Sequence, residues 1–182
     1  GMADMRRMAP LVILVIAAVL YLLLRSLRAT LLTMLVVLMS TIWTFGLMAL
    51  LRVPVYAVST MIPVMLIAIG VAYGIHLFSQ LVLVRHEDPT AGRRQALERM
   101  LRSIWKPVLM TALTTAVGFV SLVTSQVYPV KYFGLFTAFG VLAALLLSLA
   151  FIPAGLTLLG LPGRGKRGRA PRPGEPLAGP GE

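Results

Sequence analysis

The sequence predicts an all-α fold, a polytopic transmembrane helical bundle of five spans with one cytoplasmic interfacial amphipathic helix. Three observations predict it. Of 182 residues, 58% are hydrophobic and only 13% charged, and the mean hydropathy is +0.89, far outside the range of soluble domains. The apolar residues fall in five runs divided by short polar breaks, the pattern of a chain that crosses a bilayer repeatedly. The acids, Asp4, Glu87, Asp88, Glu98, Glu175 and Glu182, all lie outside those runs, so no span carries a carboxylate.

The first run, residues 9–24, ends at Arg25 and Arg28. It rises about 24 Å at ~1.5 Å per residue, short of a ~30 Å hydrocarbon core, so this helix is expected to reach back into residues 5–8. No small-residue cleavage site follows, and a second span comes at once, which argues against a signal peptide. The second run, 29–51, is long enough to cross. Arg52-Val53-Pro54 breaks it, and Ser59 or Thr60 is placed to cap a third helix running to about residue 84, with Pro63 in its first turn. Between Pro89 and Pro107, apolar Ala96, Leu97, Met100, Leu101, Ile104 and Trp105 share one helical face, while Arg93, Arg94, Glu98, Arg99 and Arg102 occupy the other. That spacing predicts an amphipathic helix over about 90–106, lying in the membrane interface and anchored by Trp105, Arg99 and Arg102. The fourth span is expected over about 108–123 and the fifth over about 132–161, with Lys131 snorkelling beside Tyr128 and Tyr132. Residues 1–8 read as the end of an extracytoplasmic segment, 9–161 as the membrane domain, and 162–182 as a flexible basic Gly/Pro-rich linker or tail.

With alternating spans, thirteen basic residues fall on one side: Arg25, Arg28, Arg85, Arg93, Arg94, Arg99, Arg102, Lys106 and the five of the tail. Arg6, Arg7, Arg52 and Lys131 fall on the other. The positive-inside rule makes the richer side cytoplasmic, with the N-terminus outside and the tail inside. An outside N-terminus with no helix before it marks the chain as a piece of something longer. The net charge of +11 does not signal nucleic acid, because the basic residues sit at span ends and in the tail without aromatic interleaving or a binding motif. The lipid bilayer is the expected partner. Cysteine is absent, so there is no disulfide frame and no thiolate. No Gly-x-Ser-x-Gly nucleophile, aspartate protease pair or His-Glu-x-x-His motif occurs, so the chain is not expected to be an enzyme, and no catalytic residue, metal or cofactor is implied.

One segment breaks the apolar pattern. Gly70-Val71-Ala72-Tyr73-Gly74-Ile75-His76 places a phenol and an imidazole at membrane depth, where polar groups are costly and mark function by default. His76 follows Ala72 by four residues and Tyr73 by three, on one helical face, and imidazole is the side chain that titrates near neutrality. The bland reading is a neutral histidine bonded to a neighbouring helix. Thr111 and Thr115 share a face of the fourth span; their hydroxyls either bond their own helix or reach toward Tyr73 and His76. Gly70, Gly74 and Gly118 read as packing positions that let a neighbouring helix approach.

The order of these pieces carries a resemblance. An apolar helix after Asp4-Met5, its paired helix, Gly70 to Leu77, the basic amphipathic loop, Lys106-Pro107-Val108-Leu109-Met110-Thr111-Ala112-Leu113-Thr114-Thr115-Ala116-Val117-Gly118-Phe119, and Lys131-Tyr132-Phe133-Gly134-Leu135-Phe136 together resemble the resistance-nodulation-division (RND) superfamily. Within it, the MMPL-like exporters of hydrophobic and amphiphilic compounds are the nearest match, over roughly residues 4–161. The resemblance implies one half of a two-half transporter, supplying the five helices that follow an extracytoplasmic domain, with a second RND half as partner. The tail would then begin the linker between halves, which places the chain in the first half. It also implies a proton-motive relay, but the relay aspartate of such families aligns with Ala72, which cannot bind a proton. The other half would then carry the relay, or His76 would substitute, or the protein would be uncoupled. The same block is called a sterol-sensing domain in eukaryotic relatives, so a lipid-binding or scaffold module that does not transport is the second expectation.

Overall fold

The computed structural model describes residues 2–160 as five helices joined by tight connections. They are α1 (Met2–Leu24), α2 (Leu27–Leu50), α3 (Ile62–Glu87), α4 (Arg93–Val120) and α5 (Tyr128–Leu159). Short 3-10 turns at Ala57–Met61 and Ser121–Thr124 precede α3 and follow α4. Four segments are long and apolar enough to cross a membrane: Leu27–Leu50, Ala57–Glu87, Arg93–Thr124 and Tyr128–Leu159. The apolar part of α1, Ile13–Leu22, covers only about 15 Å at ~1.5 Å per residue, although α1 does extend back through the 5–8 flank. The tail expected over 162–182 lies outside the described residues.

The elements form where local chemistry lets them. The Ser26 hydroxyl accepts from Ala29 N–H at 3.4 Å and caps α2. At its other end α2 closes with Arg52 N–H on the Ala49 carbonyl and Val53 N–H on the Met48 carbonyl, both 3.0 Å, a Schellman arrangement whose left-handed position is normally glycine. Here Arg52 holds it, at φ 55°. Ser59 caps the 3-10 turn rather than α3, its oxygen accepting from Tyr56 N–H at 3.3 Å, and Pro63 sits in the first turn of α3.

The core is a helix-on-helix seam with α5 at its centre, packed against α2, α3 and α4. Small residues set the spacing. A β-carbon on Gly70 would collide with Val37 of α2, one on Gly74 with Thr33, one on Gly140 of α5 with Thr44 and Leu66, and one on Gly155 with Leu32. Such close approach is how helices associate when lipid offers no hydrophobic drive between them. Along α2 the buried hydroxyls all turn back on their own helix: Thr33 to the Ala29 carbonyl at 2.9 Å, Ser40 to Val37 at 2.9 Å and Thr44 to Ser40 at 2.8 Å. A buried hydroxyl bonded this way carries no desolvation penalty. By contrast α1 lies at the margin against α2 and α3, with Leu20 buried and Leu14 and Leu22 exposed.

Two sequence expectations need correction. The amphipathic stretch over 90–106 is helical, but it is not a separate element; α4 runs through Pro107 without a break. Ala96, Met100, Ile104, Val108, Ala112 and Ala116, each four residues from the last, form one buried stripe on both sides of the proline. That face is occupied by protein, and the proline only removes one rung of the ladder. Gly118 is the second correction. It is exposed, and a β-carbon there would meet nothing within 4 Å, so it does not admit a neighbouring helix of this chain as Gly70 and Gly74 do.

Basic residues are found at both ends of the bundle. Arg28, Arg93 and Gly160 meet at one end. At the other, Tyr56 stacks on Tyr132 with ring centroids 6.1 Å apart, and Lys131 lies 5.4 Å from the Tyr128 ring.

Candidate functional site

The buried face of α3 is the stripe Ile62, Leu66, Gly70, Tyr73, Gly74, Leu77, Phe78, Leu81 and Val84. A helix turns about 100° per residue, so Ala72 and His76, four apart, point together away from that stripe. Both are exposed, meaning not covered by this chain. Tyr73 lies at the border, 4% exposed.

Facing them across a gap is α4. A cleft of about 150 Å³ opens between the two helices, lined by Ala72, Tyr73 and His76 from α3 and by Ile104, Pro107, Val108 and Thr111 from α4. This volume holds several waters and falls below the ~300 Å³ at which sites for drug-sized ligands begin. It suits water, protons or the side chain of a neighbouring helix. Using ~1.5 Å of rise per residue, His76 lies about 21 Å from the start of α3 and about 16 Å from its end, well inside the span.

The hydroxyl of Thr111 donates to the Pro107 carbonyl at 3.0 Å, so it is satisfied by its own helix while still lining the cleft. Thr115, one turn further along α4, is half-buried and is not among the cleft residues. The His76 ring has no hydrogen-bond partner among the described residues, and it belongs to the outer face of α3, outside the packed stripe.

The anchors expected for the amphipathic stretch are on the surface of α4. Arg99 pairs with Asp88 at 3.1 Å, Arg102 is exposed, and Trp105, 43% exposed, has the Lys106 ammonium 5.6 Å from its ring. Ile104, Pro107 and Val108 also line the cleft, and the sequence alone does not single them out, because a proline inside a helical pattern reads as a helix boundary. The signal was present: 104, 107, 108 and 111 share one face at helical spacing. Among the described residues, no group of three or more His, Asp or Glu side chains is placed to hold a metal ion.

An all-helical bundle with four helices long and apolar enough to cross a membrane defines a multi-pass membrane protein. The chain belongs to the MMPL family, whose model matches residues 1–173, and through it to the RND superfamily. It is also 28% identical over 116 residues to a protein of Methanocaldococcus jannaschii named only as a membrane protein, a match covering 64% of this chain. The matched stretch spans 29% of that relative's length. No solved structure matches.

Proposed function

We propose that this block is the membrane half-unit of an RND-type exporter of hydrophobic or amphiphilic compounds, such as lipid-like molecules or drugs, in a bacterial or archaeal cell membrane. The proton-motive force drives it, and the relay resides mainly in the other half. One observation carries the reading. The position that holds a relay acid in such families, Ala72, lies exposed in the cleft beside His76 and Tyr73, on a face that α4 leaves open. A second half packed there would bring its own titratable group toward His76, across a space the size of a few waters. The thirteen-residue basic end faces the cytoplasm in this reading, and the chain carries no catalytic chemistry of its own.

The test uses the intact protein in vesicles with an imposed pH gradient, reading efflux of an amphiphilic dye. Export should follow the gradient, and His76→Ala should slow gradient-driven export while leaving the folded fraction unchanged. Gradient-independent export, or undiminished gradient-driven export in the variant, would remove His76 from the coupling. A second reading, a lipid-sensing or scaffold module, is favoured by the lack of any carboxylate in the apolar runs of the sequence. It gains weight if the second half also lacks an intramembrane acid.

A further inference from the structure

The last turn of α5 ends at Gly160, whose φ of 84° is left-handed and whose N–H closes on the Leu156 carbonyl at 3.1 Å. Two arginines from two other helices converge on this point. Arg93, the first residue of α4, donates from Nη1 to the Thr157 carbonyl at 2.8 Å, which orients its guanidinium over the end of α5. Its Nη2 lies 3.6 Å, and the Nη1 of Arg28 from α2 lies 3.0 Å, from where a β-carbon on Gly160 would stand. The two nitrogens are therefore within about 6.6 Å of each other. Neither arginine belongs to an ion pair among the described residues; Glu98 is taken by Arg94 and Asp88 by Arg99.

Two uncompensated guanidiniums held this close repel, and an anion between them relieves the repulsion. Their place in the molecule selects which anion. The cluster sits at the end of membrane-spanning helices, and the residues beside it are bare and apolar: Leu27 is 62% exposed and Leu158 87%. A ligand that fits joins a phosphate to acyl chains.

We propose that Arg28 and Arg93, gathered over Gly160 at the end of α5, hold the phosphate of an anionic phospholipid whose acyl chains lie along the apolar flank beside them. Gly160 has a stated part in this. Only glycine adopts its backbone angle without strain, and any side chain there would crowd the space between the two guanidiniums.

The test compares the full chain in nanodiscs of phosphatidylcholine alone with discs in which a fifth of the lipid is phosphatidylglycerol, reading the thermal unfolding midpoint and, by native mass spectrometry, the lipids retained. The wild type should gain several degrees in the anionic discs and keep one phosphatidylglycerol. Arg28→Gln/Arg93→Gln should lose at least half of that gain and the retained lipid. Arg102→Gln, another exposed arginine of α4, should keep both. Each gain is read against the same variant in neutral discs, so a variant that is merely less stable still gives an answer, and Arg28→Lys should retain most of the gain if charge is what matters. Equal gains in the double variant and in Arg102→Gln would overturn the site in favour of general surface attraction. An equal gain from millimolar inorganic phosphate in neutral discs would overturn the lipid as its occupant, and persistence of the pair's lipid retention only after deletion of residues 161–182 would show that the tail, with Glu175, covers it instead.

Discussion

On one side of α3, Gly70 and Gly74 admit α2 so closely that Val37 and Thr33 fill the space a side chain would need. On the other, Ala72 and His76, only two residues away, stay exposed and face α4 only across the cleft. Each side handles polarity differently. Against the packed side, the hydroxyls of Thr33, Ser40 and Thr44 are bonded to their own helix, so they add no directional demand and the helices dock by shape alone. On the open side, an imidazole is left without a described partner at membrane depth, where an unsatisfied polar group is expensive unless water or another helix serves it. Burial and satisfied hydroxyls mark the packed side of α3; exposure and an imidazole with no described partner mark the open one.

The largest effect that would break this comparison is steric. Gly74→Leu forces α2 and α3 apart where Thr33 already touches the backbone, and should cost about 3 kcal/mol, the upper part of the usual range for overpacking. Gly118→Leu on the open surface of α4 should stay within about 0.5 kcal/mol. Reversible unfolding in mixed micelles reads both. Equal costs would mean that the glycines of α3 are not what sets the helix spacing.

Much of this was legible in the sequence, for physical reasons. Hydropathy and the placement of acids outside the apolar runs give a helical membrane bundle, because a chain in lipid must satisfy its backbone internally. Tyr73, His76 and Thr111 could be singled out as polar groups at depth, and the structure places all three on one cleft. What the sequence withheld was direction. His76 and Tyr73 are three residues apart, yet one is exposed and the other buried, and that depends on which neighbours the helix meets. Pro107 misled for a related reason: in water it would end a helix, whereas here the stripe from Ala96 to Ala116 is packed on both sides of it. Gly118 looked like Gly74, and only the neighbouring helix tells a close contact from bare surface.

The two connections of α3 sharpen the comparison further. The turn entering it, from the packed side, keeps Arg52 in a left-handed conformation at φ 55°, which costs a non-glycine residue about 1 kcal/mol or somewhat more. Arg52→Gly should therefore stabilise the bundle by about 0.5 kcal/mol, since glycine's larger unfolded entropy takes back part of the relief. Loss of stability in the same micelle assay would mean that the arginine side chain holds something the strain conceals.

The turn leaving α3, toward the open side, relies instead on a charge. The Asp88 carboxylate accepts from the Thr90 hydroxyl at 2.7 Å and its N–H at 3.2 Å, and pairs with Arg99. The Thr90 hydroxyl foremost, with its N–H and Arg99, holds the Asp88 pKa below the ordinary value of 3.8 against the opposing effect of desolvation. A depressed carboxylate favours the folded turn when ionised. Its contribution is thus complete above about pH 4, the unfolded value, and fades as the pH falls through the lower folded one, leaving the range from pH 5 to 8 untouched. The group is only half-buried and its partner Arg99 is exposed, so the effect is the smallest of the set and weakens further in salt. Hydrogen exchange at the Thr90 amide should accelerate on acidification in the wild type beyond the intrinsic pH trend, while Asp88→Asn should exchange faster at neutral pH and show no such acid step. An acid step of the same size in Asp88→Asn would place the titrating group elsewhere. Its absence would mean that α3 is joined to its packed side by backbone geometry and to its open side by an ion pair that solvent can reach, the connection more easily released when that face changes its contacts.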